Sequence, residues 1–545
     1  MKTKIAAYFT LFLLSISISN AQVTERSRPA GWDSLVFGGR FMDRFLFMPD
    51  LGGMTSDTWG AQCVIPRDIN NGIEEKEWSY WGGNSRLMDD GKYHLFVCRW
   101  PENSRKGHME WPRSVVVHAV AENSYGPYKV VAEIGKGHNP EWYITDSGKY
   151  VIYVIGGYYV SDDLNEPWEY KKYKFDKRDR KIIEGLSNLS FAKREDGSFV
   201  MVCRGGGIWI SKDGLSTWHQ VTDKRVYPPV DGRFEDPLFW KTNVQYHLIV
   251  NDWLGRIAWH LRSKDGVHWK TNAGEAYLPG IAKYEDGTVE DWFKFERIKV
   301  LQDKYGRAVQ ANFAVIDTLK RYDKPNDNHS SKNIAIPLLP GKLLTVLNKK
   351  PITEKTKTIK LLIEAEPGFD PYNDIDFKSL KYGAPEVVDF GRGCKMKSVE
   401  KKGDDVVVTF YGENNGFTDD SFAGKLLGRD KNDKLLFGYS RLPGVEYVEP
   451  LLSARRPKVV NGGKGLSIDI DNFGQVSSKK ATLQIYKKSG DEIVEIAKTT
   501  IPPIEPYQSK SLVLNTYFNL RGKNHDEFLI YFNKGEKDED IDTFR

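Results

Sequence analysis

Residues 233–240, RFEDPLFW, place two carboxylates, Glu235 and Asp236, just ahead of the strand-like run VQYHLIV. Neighbours on an extended chain point to opposite sides. One of the pair can therefore face a pocket while the other ties down the turn, and Glu235 is the candidate for the pocket. His138, in GKGHNPEWY, follows Gly135 and Gly137 and heads another strand-like run, where a purely structural histidine has little to do; Tyr143 lies five residues on. His108 sits in RKGHMEWPR, an irregular insertion of the kind that forms a pocket lid. Arg204 is a candidate carboxylate binder, although it follows Cys203 as Arg99 follows Cys98, which fits a shared structural role equally well. Glu296 and Arg297 either pair with each other or face a substrate, and Arg256 lies on an adjoining strand. Histidine, tyrosine, arginine and carboxyl groups together suit proton transfer beside an anionic group. No spacing of His, Cys, Asp or Glu marks a metal site, and no cofactor is expected.

Elements able to position these residues recur along the chain. DDGKYHLFVCRW, DSGKYVIYV, EDGSFVMVCRG and TNVQYHLIV open four segments that pair a turn with β-rich runs, and DKYGRAVQANFAVID opens a fifth, weaker one. Asp-Gly and Ser-Gly between such runs are hairpin turns, because they tolerate the positive φ required there. A recurrence of about 50–60 residues is the scale of a four-stranded blade. The expected fold is all-β: a five-bladed β-propeller over residues 22–350, then an immunoglobulin-like β-sandwich region over 351–545, where apolar and polar residues alternate with period two. Lys-rich KKPITEKTKTIK reads as a linker or edge strand between them.

The 545 residues begin with Lys2 and Lys4, an apolar run from Ile5 to Ile18, and Ser19-Asn20-Ala21. This pattern is that of a signal peptide over 1–21, so the protein is expected to be exported, periplasmic or secreted. The run is too short to span a bilayer, and no later stretch is long and apolar enough. The formal net charge of +5 falls to +3 once Lys2 and Lys4 are removed, which carries no nucleic-acid signature and at most favours an anionic substrate. Cys98 and Cys203 occupy matching strand positions and read as buried thiols. Aromatics make up 13%, including 15 tryptophans, which suits clefts lined by rings.

HNPEWYITDSGKYVIYV and FEDPLFW resemble the second- and fourth-blade strands of the five-bladed arabinanase- and xylosidase-type glycoside hydrolases, over roughly residues 75–320. That resemblance implies Glu235 as general acid. It also implies a base aspartate in the first blade and an acid-tuning aspartate in the third, where this chain has Asn84 and either Ser187 or Asn188. An asparagine amide cannot take a proton from water at neutral pH, and inverting hydrolysis needs two carboxylates. The remaining kit fits elimination next to a uronate carboxylate, with Asn84, Asn188, Arg204, Arg256, Glu296, Arg297 and His108 as substrate-binding residues and His138, Tyr143 and Glu235 as catalytic ones.

The whole chain is also similar to exported proteins of marine Bacteroidetes polysaccharide-utilisation systems, on GGNSRLMDDGKYHLFVCRW, GHNPEWY, GRFEDPLFW, VEDWFKFERIKV and HSSKNIAIPL. This similarity implies an oligosaccharide dehydratase acting on ulvan fragments, with an acidic oligosaccharide as its partner. An exo-acting glycosidase and a non-catalytic glycan-binding protein are the alternatives.

Overall fold

The computed structural model describes residues 28–55, 67–165, 167–183, 185–253, 257–520, 527–536 and 539–544. The expected signal peptide, Cys63 and Arg256 lie outside them. The described chain is all-β, and none of its helices is long and apolar enough to cross a membrane.

Five antiparallel sheets follow one another in sequence. The first runs Trp78–Leu87, Tyr93–Pro101, Val115–Ala121, Lys129–Lys136, and the second Glu141–Ile144, Tyr150–Val154, Gly157–Ser161, Glu169–Lys172. The third runs Ser190–Lys193, Phe199–Val202, Ile208–Ser211, Trp218–Gln220, with Phe175–Asp176 added in parallel at its edge. The fourth runs Phe234–Lys241, Tyr246–Asp252, Ile257–Ser263, Lys270–Tyr277, and the fifth Lys294–Gln302, Ala308–Ile316, Ser331–Pro337. The turns read from DDGKY, DSGKY and EDGSF place Gly91, Gly148 and Gly197 at φ of 79°, 80° and 81°, where a Cβ would be strained.

Hydrogen bonds link each sheet to the next and the fifth back to the first. Trp142 N donates to Asn84 Oδ1 (2.9 Å), Phe191 N to Glu141 Oε1 (3.1 Å), Phe239 N to Ser190 Oγ (2.9 Å), Gln302 Nε2 to Lys241 O (2.9 Å) and Asn333 Nδ2 to Gly82 O (2.7 Å). The sheets pack through apolar faces such as Tyr153 stacked on Phe191 at 3.9 Å. Cys98 and Cys203 are free, buried thiols.

The C-terminal half departs from the expected sandwich. Lys342–Val346, Thr358–Ile363, Ile375–Gly383, Cys394–Lys402, Asp405–Tyr411, Ala423–Asp430 and Leu435–Arg441 close into a seven-stranded barrel. Its first strand precedes residue 350, and the stretch read as a linker supplies part of its second. Period-two alternation states which face is buried; it does not state whether the sheet rolls up on that face. Only the last part, residues 452–544, forms two four-stranded sheets around a shared core of Ile468, Ile470, Leu483, Ile485 and Ile530. Arg178 holds this pair of sheets to the third sheet, through Asp471 at 2.6 Å and Ser453 O at 2.7 Å. Arg262 bonds Glu386, beside the barrel, at 3.0 Å.

Candidate active site

The first strands of the first, fourth and fifth sheets share one irregularity. Pairing slips between Trp81 and Asn84, between Glu235 and Leu238, and between Glu296 and Lys299, each time across the same interval. Left-handed residues stand at the slip: Gly82 (φ 66°), Asp236 (53°) and Arg297 (49°), with Asn139 (55°) and Asn188 (47°) just before the two shorter strands. A bulge of this kind re-aims the side chain that precedes it. Asn and Asp tolerate the conformation, whereas Arg in it is strained and must be held by its surroundings.

This register defines two layers. The residues at the slip form a chain of polar contacts: Asn139 Nδ2 donates to Asn188 Oδ1 (2.9 Å), Asn188 Nδ2 to Asp236 Oδ1 (3.0 Å), and Arg297 Nη1 to the same oxygen (3.4 Å). Two residues further on, Glu141 ion-pairs with Lys299, whose Nζ also lies 3.2 Å from Ser190 Oγ. That hydroxyl donates to Glu141 Oε2 at 3.0 Å, so one buried cluster ties the second, third and fifth sheets together. Burial presses the Lys299 ammonium down to about 8, although Glu141 opposes the shift.

The residues just before these left-handed positions are Trp81, His138, Ser187, Glu235 and Glu296, three within first strands and His138 and Ser187 shortly ahead of theirs. Glu235 keeps 28% of its side chain exposed, accepts from Asn188 Nδ2 at 3.1 Å and has Arg204 Nη1 at 3.8 Å. Burial, then the carboxyls of Asp236 and Glu296, raise its pKa to about 7 against the pull of Lys320 and Arg204. Glu296 is buried between Lys294 (3.2 Å) and Lys320. Burial alone would raise its pKa, but Lys320 and Lys294 hold it below the ordinary value. The Lys294 ammonium lies 3.3 Å from the centre of the Trp253 ring, and that of Lys320 lies 4.7 Å from Trp81, contacts in which ring faces attract cations.

His138 Nδ1 sits 3.0 Å from Ser114 Oγ and 3.3 Å from Cys98 Sγ. The serine hydroxyl donates to Gly137 O (2.8 Å) and the thiol to Trp81 O (3.0 Å). With both hydrogens committed elsewhere, Nδ1 is the donor to the serine oxygen, and Nε2 carries the lone pair. Nε2 has no hydrogen bond to the described residues. Burial, reinforced by Arg297 and Lys320, keeps the ring neutral with a pKa well below the ordinary value. His108 is likewise buried and neutral, set edge-on to Trp81 at 4.6 Å, with Nδ1 2.9 Å from Ser331 Oγ.

The residues singled out from sequence divide accordingly. Glu235, Arg204, Glu296, His138 and His108 belong to one neighbourhood, linked by contact or by mutual charge. Asn188 and Arg297 lie beneath it, buried and bonded to carboxylates. Glu296 and Arg297 bond neighbouring groups rather than each other, Glu296 two lysines and Arg297 Asp236.

Asn84 is not the counterpart of Glu235: it lies in the layer below, with its amide bonded to the Trp142 backbone, and Trp81 takes the matching place. The bulge puts three residues between Trp81 and Asn84, so position relative to the hairpin turn does not give the register. Tyr143 is also elsewhere, in the core between the second and third sheets, its hydroxyl bonded to Glu141 (2.9 Å) and Phe191 O (2.5 Å). It shares the strand face of Glu141 and lies further along the strand, deeper than His138.

Lys294, Lys320, Trp81 and Trp253 were missed. Lys294 stands two residues before Glu296, hence on the same strand face, and Asn139-Pro140 against Asp236-Pro237 would have aligned the register. Lys320 lies in a loop and left no signal.

No protein-family model and no curated protein matches the chain. Among solved structures, a protein of unknown function from Dyadobacter fermentans aligns at 11% identity over 55% of this chain and 94% of its own, with a TM-score of 0.33. The GH43 BlXynB protein of Bacillus licheniformis aligns at 9% identity over 87% and 89%, with a TM-score of 0.31. A periplasmic gluconolactonase of Pseudomonas aeruginosa aligns at 10% over 78% and 99%, with a TM-score of 0.22. Likeness at this level has no bearing on activity.

Proposed function

We propose that the five sheets are the blades of a five-bladed propeller and that the protein is an exported carbohydrate-active enzyme. In this reading it eliminates water from the non-reducing-end uronic acid of an acidic, ulvan-type oligosaccharide. The observation that carries the reading is the pairing of a neutral imidazole, His138, with a carboxyl of pKa about 7, Glu235, at equivalent positions two sheets apart. Around them, Arg204, Lys294 and Lys320 exceed the charge of Glu296, so an anionic sugar is favoured.

The reaction then runs as proton transfer at both ends. The cations neutralise the uronate carboxylate and acidify the C5 proton. His138 Nε2 takes that proton, the electron pair forms the C4–C5 double bond, and the C4 hydroxyl leaves as water with a proton from Glu235. Trp81 and Trp253 offer ring faces beside the cations for sugar stacking.

A carboxyl of pKa about 7 also suits the general acid of an exo-acting glycosidase. The second carboxylate of that mechanism would have to be Glu296, which is bonded to two lysines. The test is incubation with oligosaccharides ending in a uronic acid. Rising ultraviolet absorbance of an unsaturated uronate, with loss of one water in mass, supports elimination. New reducing ends without absorbance favour hydrolysis, and binding without product favours a glycan-binding protein.

A further inference from the structure

Behind the mouth, where the second strand of the first sheet ends, Glu102 meets Asp323 and Asp327 from the loop after the second strand of the fifth sheet. One oxygen of each lies within 4.8 Å of the others. Asp323 is fully buried, and no side chain bonds either of its carboxylate oxygens, the His108 backbone N–H approaching without full hydrogen-bond geometry. Glu102 is 3% exposed, its Oε2 accepting from Ser79 Oγ (2.6 Å) while its Oε1 has no partner. Among the described residues none of the three forms an ion pair. Glu102 and Asp323 bring two buried carboxyl groups together, and half-buried Asp327, whose oxygens accept from Lys324 N (2.9 Å) and His329 N (2.8 Å), adds a third. Like charges buried side by side are unfavourable unless a cation offsets them. Orphaned buried oxygens aimed into the cluster are what a missing ligand leaves behind.

We propose that Glu102, Asp323 and Asp327 bind a calcium ion that clamps the loop carrying Lys320 onto the first sheet. The donors are all hard oxygens, the set calcium prefers, and oxygens on opposite sides of calcium stand about 4.6–5.2 Å apart. The loop is already seated for this: Asn326 N donates to Glu102 O at 3.3 Å, and Gly107 packs so closely that a Cβ there would lie 2.0 Å from Asp323 O. Burial, then neighbouring acidic groups, push Glu102 to about 9 and Asp323 to about 7, the direction a cation would reverse. Lys320, three residues before Asp323, bonds Glu296, so the clamp bears on the candidate active site without touching it.

The test is calcium binding by the full chain after chelator treatment, read by titration calorimetry and by thermal melting, neither of which needs a substrate. Saturable heat at one ion per chain and a rise in Tm of at least about 2 °C are expected. Asp323→Asn should abolish both responses, while melting in chelator at or above the wild-type temperature because one buried charge is gone. No saturable heat up to about 1 mM calcium, within the range of extracellular sites, overturns the proposal. So does a variant that binds calcium as the wild type does, or a shift produced by magnesium and not by calcium. Because these readouts ignore turnover, the clamp and the proposed elimination stand or fall separately.

Discussion

Asn188 donates one side-chain nitrogen to both Glu235 Oε1 (3.1 Å) and Asp236 Oδ1 (3.0 Å). A single amide from the third sheet thus holds two adjacent carboxyls of the fourth, one facing the mouth and the other buried against Arg297. A donor to a carboxylate favours its charged form. Asn188→Ala should therefore move the alkaline limb of the pH–rate profile upward, because Glu235 loses a bond that helps it ionise. An unchanged limb would separate Asn188 from the acid.

Glu235→Gln should lower kcat by about 10²–10⁴, the usual worth of a general acid. Its effect on stability has a definite sign. The folded pKa, about 7, stands above the ordinary 4.5, so the folded state holds a proton that the unfolded state has released between these values. Wild-type stability accordingly falls as pH rises through that window. Urea melts should show the variant gaining on the wild type from about pH 4.5 to about pH 7, with the difference level above it.

His138→Ala removes the imidazole whose Nε2 lone pair is set by Ser114 and Gly137. Turnover should drop by about 10²–10⁴ while substrate affinity changes little. Ser114→Ala should lower kcat less and disturb the pH profile, since the tautomer loses its anchor. Full activity in His138→Ala would take the histidine out of the mechanism.

Lys320→Met leaves Glu296 with Lys294 as its cation. Stability should fall by about 1–3 kcal/mol, less than the ~3–5 kcal/mol for a buried charge deprived of its only partner. KM for a uronate-ended substrate should rise more than kcat falls.

Lys299→Met deprives the buried Glu141 of its ion-pair partner in the cluster that joins three sheets. The expected loss is about 3–5 kcal/mol in denaturant melts. A variant as stable as the wild type would show that the backbone bonds around Glu141 suffice.

The repeat was legible because hairpin chemistry is local: Asp-Gly and Ser-Gly must adopt positive φ, and the runs beside them alternate or stay apolar as buried strands do. The candidates Glu235 and His138 were legible for a similar reason, each heading a strand in its repeat. The register among the repeats was not. A bulge at Gly82, Asp236 and Arg297 adds a residue without changing composition, so Asn84 looked like the partner of Glu235 when Trp81 was.

The sequence by itself determined the all-β character, the recurrence of the sheets and a carboxyl and an imidazole at strand heads, since these follow from neighbours on the chain. Only the tertiary structure decided that Glu296 lies between Lys294 and Lys320, that Asn188 bridges Glu235 and Asp236, and that residues 342–441 close into a barrel. Each of these depends on groups distant in sequence meeting, and at Glu235 and Glu296 that meeting happens where burial and neighbouring charges set the protonation state.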